Sequence, residues 1–355
     1  MACFSVLGAL DLIIGNKFGL GKQFERGLTL IGAMAMSMVG MLVLAPLIAQ
    51  LLLPIVSALS SVLPFEPSVV PAMILANDMG GAPLAMEFAT SEQAGYYNGL
   101  IVSAMMGVTI SFNIPFAMGV VPKEKHESLL LGMLCGIVTT PVGSLIAAFV
   151  VGLPLKELLG SILPLFLFAS VLAVLLFLFP TQCVKAFKAL GMGITTIILI
   201  GLAAGIFEAL TAIELIPYTA PIEEGFDVCV NAAMVMSGAF PLVYILSKVL
   251  DKPMKKLGAL IGVNSISALG FLSTLATNVT TYGNMQDMDD KGAMLNGAFS
   301  VSAGFVFAGH LAFTLSFNGD YAISMIIGKL VSGISSVFVA VLLYKIMNKR
   351  KKKES

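Results

Sequence analysis

Apolar residues fill most of this chain in long blocks, with short polar clusters between them. Blocks at 28–53, 98–121, 128–153, 158–179, 190–210, 226–249, 292–317 and 321–347 reach the ~20 residues that a helix needs to cross a hydrocarbon layer. Each predicts a membrane helix. The block at 1–14 is apolar but too short to span, and it reads as the latter part of a first helix. Pro54 and Pro180 close two of the blocks, and Pro141 interrupts another. Two further apolar blocks, 67–89 and 257–282, are broken by polar residues.

The first break reads Leu75-Ala76-Asn77-Asp78-Met79-Gly80-Gly81 and the second Leu275-Ala276-Thr277-Asn278-Val279-Thr280-Thr281. An acid at membrane depth costs roughly 3 kcal/mol on insertion scales, so such residues usually have a task. Broken backbone at that depth persists only where protein or a cavity shelters it. Two polar breaks at matching places in two halves of a chain point to the substrate site of a transporter.

Charge decides how the breaks sit. Lys and Arg collect on the cytoplasmic side of membrane helices. If both broken blocks cross, Lys123 and Lys125 fall outside, and the loop at Lys252 lies opposite the tail. If each dips in and returns, all the basic clusters fall inside: 17–26, 123–125, 185–188, 248–256 and the tail at 349–353. The acidic loop with Glu214, Glu223 and Glu224 then falls outside. About nine crossings and two re-entrant segments result, within a range of nine to eleven membrane helices.

The two halves then have opposite orientation. Asn98-Gly99 with Ser103-Ala104 recurs as Asn296-Gly297 with Ser302-Ala303, and Pro67-Ser68 before the first break matches Asn264-Ser265 before the second. The expected fold is an all-α, polytopic membrane protein with inverted repeats, forming a single transmembrane domain over 1–355. Repeat 1 covers 1–153, a linking span 154–182, repeat 2 183–348, and a basic cytoplasmic tail 349–355.

Composition agrees. The chain has 355 residues, of which 58% are hydrophobic and 11% charged, so no separate soluble domain fits. Formal net charge is zero, which gives no hint of a nucleic-acid partner. Cys3, Cys135, Cys183 and Cys229 are scattered and read as small core residues. Nucleotide loops, zinc-protease and nucleophile-elbow motifs and metal-spaced clusters are absent from the sequence, so an enzyme, a cofactor and a metal are not expected.

The chemistry falls to a few polar residues. Asp78 suits a counter-charge for a small cation; it also suits a structural acid that pairs with a lysine or caps a half-helix. Asn77, Thr277, Asn278 and Thr280 offer amides and hydroxyls either to a ligand or to backbone freed by the breaks. Asn98 and Asn296 stand near helix starts, as caps or as ligand contacts. His310 either titrates or hydrogen-bonds between helices. Lys329 either snorkels to the interface or pairs with an acid as a fixed cation.

Taken together, the chain resembles the ethanolamine-utilisation permease family of bacteria over nearly its whole length. The resemblance is carried by Gly21-Lys22-Gln23-Phe24-Glu25 with Gly27, by Asp78-Met79-Gly80-Gly81, and by Ala104-Met105-Met106-Gly107. It continues through Leu275-Ala276 with Asn278, Ala303, His310-Leu311 and Gly328-Lys329-Leu330. Family members begin with a complete first helix, and this chain departs from them there. The resemblance implies ethanolamine, a small and mostly protonated amine, as the substrate, taken up across the cytoplasmic membrane. The partners expected are that substrate and the bilayer, with room for a coupling ion and a homo-oligomer. Another small amine, or ammonia in a channel, is the alternative.

Overall fold

The apolar blocks do become helices, but the breaks expected at Pro54 and Pro141 do not occur. The computed structural model describes residues 1–62 and 65–354, and all regular structure among them is helical. Of the basic tail, the side chains of 350–354 and all of Ser355 lie outside the described residues.

The chain opens with α1 (Ala2–Ile13). Asp11 near its end accepts hydrogen bonds from the backbone N–H groups of Phe18 (2.9 Å), Leu20 (2.7 Å) and Gly21 (3.0 Å). A carboxylate thus meets the unpaired donors at the start of α2 (Leu20–Val56) and fixes a tight reversal. Pro46 and Pro54 lie inside continuous helix rather than ending it. Gly27 and Gly40 let α2 meet its neighbours closely. A Cβ on Gly27 would strike the backbone of Ser237, and one on Gly40 that of Ile198.

A short pair follows, α3 (Val69–Ile74) and α4 (Gly81–Phe88). Then come α5 (Glu92–Val120), α6 (His126–Val151), α7 (Leu155–Leu178), α8 (Pro180–Thr211) and α9 (Ile222–Ile261). Helix α6 continues through Pro141, which the sequence pattern marks as an interruption. The basic stretches at 185–188 and 248–256, expected as loops, are helical ends of α8 and α9. Along one of them Lys255 pairs with Asp251 at 2.9 Å, one helical turn away.

A second short pair, α10 (Ser265–Ala276) and α11 (Asn278–Gly283), leads into α12 (Asp290–Ala303), α13 (Gly309–Asn318) and α14 (Ala322–Glu354). The order long helix, short pair, long helices therefore occurs twice. Both short pairs fold back on themselves. Glu66, before α3, accepts from the backbone N–H of Thr90, after α4, at 2.9 Å, and from the Thr90 hydroxyl. Asp289, after α11, accepts from the backbone N–H of Asn264, before α10, at 3.2 Å. Within the second pair, the Thr281 hydroxyl reaches the carbonyl of Gly270, 3.1 Å away, which an unbent helix forbids.

Seven helices among the described residues are long and apolar enough to cross a membrane. Large apolar side chains stay exposed along α7 and α8, including Leu163, Phe166, Leu167, Phe177 and Ile200. With no water-soluble reason to expose so many, these faces meet lipid. This is a polytopic, all-helical membrane protein. Its interior forms where α6 packs against α12 and α14, and where α9 packs against α1, α2 and α13.

Candidate functional site

The site grows from the first break. Leu75 and Ala76 are extended, Asn77–Met79 form one tight turn, and Gly80 takes φ +105°, a region that costs side-chain-bearing residues dearly. The freed backbone finds partners on α5. The Ser103 hydroxyl donates to the carbonyl of Leu75 at 2.7 Å, and the backbone N–H of Ala76 donates to the Ser111 hydroxyl at 3.1 Å. Helix α5 is wound wide, as π-helix, over Asn98–Gly107 and Thr109–Asn113. Gly107 lets it approach: any Cβ there would run into the carbonyl of Leu75.

Asp78 at this tip lines two cavities. One, of about 160 Å³, is bounded by Ser37, Asp78, Phe112, Phe305 and His310. The other, of about 300 Å³, is bounded by Arg26, Met34, Asp78, Phe240, Thr277 and Phe305. Tips of both broken segments, Asp78 and Thr277, thus border the second. Behind His310 stands Lys329, completely buried. Its ammonium donates to the carbonyl of Ala104 and to His310 Nδ1, the latter at 3.0 Å. Lys329 therefore does not snorkel to the interface: its whole side chain is buried within the protein. A lysine ammonium there donates to Nδ1 and leaves the ring proton of a neutral His310 on Nε2. A larger cavity of about 660 Å³ lies at the base of the first pair, beside Glu66 and Lys156. There Glu66 accepts from Ser68 and Thr90, and Glu157 also lines the wall.

The other expected residues divide. Asn77 is fully buried, and neither atom of its amide has a hydrogen-bond partner. Asn278 is also buried, but its amide donates to Asn113 Oδ1 (2.8 Å) and to the carbonyl of Ser300 (3.0 Å). Thr277 caps α11 by accepting from the N–H of Val279 at 3.2 Å. Thr280 is exposed and lies away from both Asp78 cavities. Asn98 and Asn296 are not caps: Ser91 and Asp289 hold those positions. Instead Asn98 donates to the Ser68 hydroxyl (2.8 Å) and Asn296 to the carbonyl of Ser267 (2.8 Å). Each sits further along its helix and ties it to the entry of the neighbouring short pair.

One feature of the site departs from the sequence pattern. The continuous helix expected over 292–317 breaks at 304–308, where Phe305 takes φ +61°. The N–H groups of Phe305 and Phe307 leave the helix and donate to the carbonyls of Thr274 (3.0 Å) and Leu275 (2.9 Å). This third break places both Phe305 and His310 at the cavity. Gly304 and Gly309 flank it, and glycines so spaced inside an apolar block were the available signal.

The family profile described as "Ethanolamine utilisation protein, EutH" matches residues 1–343. The chain belongs to the EutH family. It is 42% identical to "Probable ethanolamine permease EutH" of Listeria monocytogenes, over 100% of this chain and 95% of that protein. It is 34% identical to the protein of the same name from Salmonella typhimurium, covering 97% of this chain and 93% of that one. "Uncharacterized protein YxeR" of Bacillus subtilis is also 34% identical, over 96% and 92%. No solved structure matches.

Proposed function

We propose that this chain carries ethanolamine across the bacterial cytoplasmic membrane by alternating access, holding the protonated amine at Asp78. The observation that carries this reading is a half-buried carboxylate at a broken helix that borders two cavities. An ammonium buried without a partner costs several kcal/mol, and Asp78 offsets that cost. Phe112 and Phe305 add aromatic faces to the smaller cavity, which suit a cation. The unpaired amide of Asn77 next to Asp78 has hydrogen-bonding capacity for the substrate hydroxyl once the tip moves. The names of the relatives support the choice of substrate.

Folding back of both short pairs supports the re-entrant arrangement. The basic ends of α8 and α9, the Lys123–Lys125 turn and the tail then share the cytoplasmic side. Repeat 1 and repeat 2 lie in opposite orientations, joined by α7. Alternating access moves the bundle of α5, α6, α12 and α14, with its two short pairs, against α1, α2, α8 and α9.

Uptake of labelled ethanolamine into proteoliposomes tests the reading, with wild type beside Asp78→Asn. Saturable uptake and counterflow are expected in the wild type, and their collapse in the variant. Linear uptake without counterflow points to a channel and sinks the proposed cycle. Cysteines placed at positions 78 and 277 test the movement: labelling confined to one side in every condition rules out alternating access at these tips.

A further inference from the structure

The proposed site already contains a lysine. Lys329 is fully buried in α14, and its ammonium rests on the Ala104 carbonyl, in the wide-wound stretch of α5, and on His310 Nδ1. His310 and Asp78 share the wall of one cavity. Few other titratable groups face this cluster. Cys229 on α9 is within electrostatic reach of Asp78. Tyr97 on α5 donates to the Ser144 carbonyl, Cys135 on α6 is buried, and Arg26 at the second cavity is exposed to screening. Buried Asn98 on α5, and Ser302 and Ser332 between α12 and α14, bring no charge.

Charge balance follows from these neighbours. With Asp78 a carboxylate, Lys329 an ammonium and His310 neutral, the unloaded cluster sums to zero. A substrate ammonium raises it by one positive charge in a water-poor interior, where an unpaired charge is strongly disfavoured. Lysine is the residue that answers such pressure by losing its proton.

We propose that Lys329 is the coupling group, and that the protein exchanges one protonated amine for one proton. This rests on the Asp78 reading above. When the substrate ammonium pairs with Asp78, an N–H bond of Lys329 breaks and its proton passes to His310 Nδ1. The proton on His310 Nε2 leaves to water in the cavity, so the cluster stays neutral. After the substrate departs on the other side, a proton enters by the reverse route and restores the Lys329 ammonium. Each cycle moves the equivalent of one neutral amine. Membrane potential therefore does not drive uptake. The pH gradient does, and substrate accumulates on the acidic side by about tenfold per pH unit.

Full-length protein in proteoliposomes tests this, with labelled ethanolamine and protein-free vesicles subtracted for leak. Counterflow is measured first, then uptake under a potassium-valinomycin potential, then under a pH gradient. The expected result is saturable counterflow, uptake unchanged by an inside-negative potential, and uptake accelerated several-fold by an acidic interior. In Lys329→Met the carboxylate has no resident cation, and uptake becomes driven by the inside-negative potential. Wild-type uptake that rises with inside-negative potential, or ignores both gradients, overturns the exchange while leaving ethanolamine transport intact. Absence of counterflow overturns the transport reading and the exchange together. If Lys329→Met does not fold, the wild-type gradients decide alone.

Discussion

At the first break the chain presents Asp78 to two cavities beside an amide, Asn77, that bonds to nothing. At the second, the residue in the matching place, Asn278, is buried and bonded to Asn113 and Ser300 across the helices. Both begin Leu-Ala and both end a short helix, and both border one cavity, yet the acid of the first faces that cavity while the amide in the matching place of the second is held by protein. The difference lies in what faces each tip. Asn113, on the wide-wound α5, is an uncharged partner that accepts from the Asn278 amide nitrogen. Opposite Asp78 stands His310, on a helix broken a few residues earlier and backed by Lys329. Two similar short helical pairs thus differ at their tips: one ties α11 to α5 and the other places a carboxylate at two cavities.

The comparison can be broken most directly at its charged end. Asp78→Asn removes the carboxylate from the wall of both cavities. Saturable ethanolamine uptake is expected to fall about a hundred-fold or more, read by initial rates in proteoliposomes. Full activity in that variant erases the distinction between the tips. Asn278→Ala probes the second tip, where two hydrogen bonds vanish and Asn113 keeps an unpaired oxygen. The expected loss is about 1–3 kcal/mol of stability, measured as a lowered melting temperature in detergent, with little change in substrate affinity. A larger effect on affinity than on melting makes Asn278 a ligand contact instead. Thr277→Ala removes the cap on α11, with an expected cost of ~1 kcal/mol by the same melting assay. Thr280→Ala, on an exposed face, is expected to stay within ~0.5 kcal/mol and to transport normally. Impaired uptake there places substrate where neither Asp78 cavity extends.

Much of this was legible along the chain because the membrane imposes a one-dimensional rule. Blocks of about twenty apolar residues had to become helices, since lipid leaves backbone polar groups no other partner. Both breaks, the acid at the first and the basic clusters that orient the loops follow from local composition. Helix ends were less readable. Pro46, Pro54 and Pro141 lie inside helices because neighbouring helices hold the chain together there. Asn98 and Asn296 looked like caps by position, but their amides are engaged across to the short pairs, a choice that local spacing does not express.

Of the site, Asp78, His310 and Lys329 were each visible as costly polar residues in apolar surroundings, and their sequence positions alone left each with two readings. Local sequence determined that the chain is a many-helix membrane protein with two polar interruptions and an acid in one of them. Tertiary structure decided where the Lys329 nitrogen lies, that both interruptions meet at one cavity, and that a third break at 304–308 brings Phe305 and His310 to the cavity wall beside Asp78. The physical reason is range. Burial of apolar side chains and backbone pairing are set within a helical block. Satisfaction of a buried charge or amide depends on partners hundreds of residues away, which only the packed fold supplies.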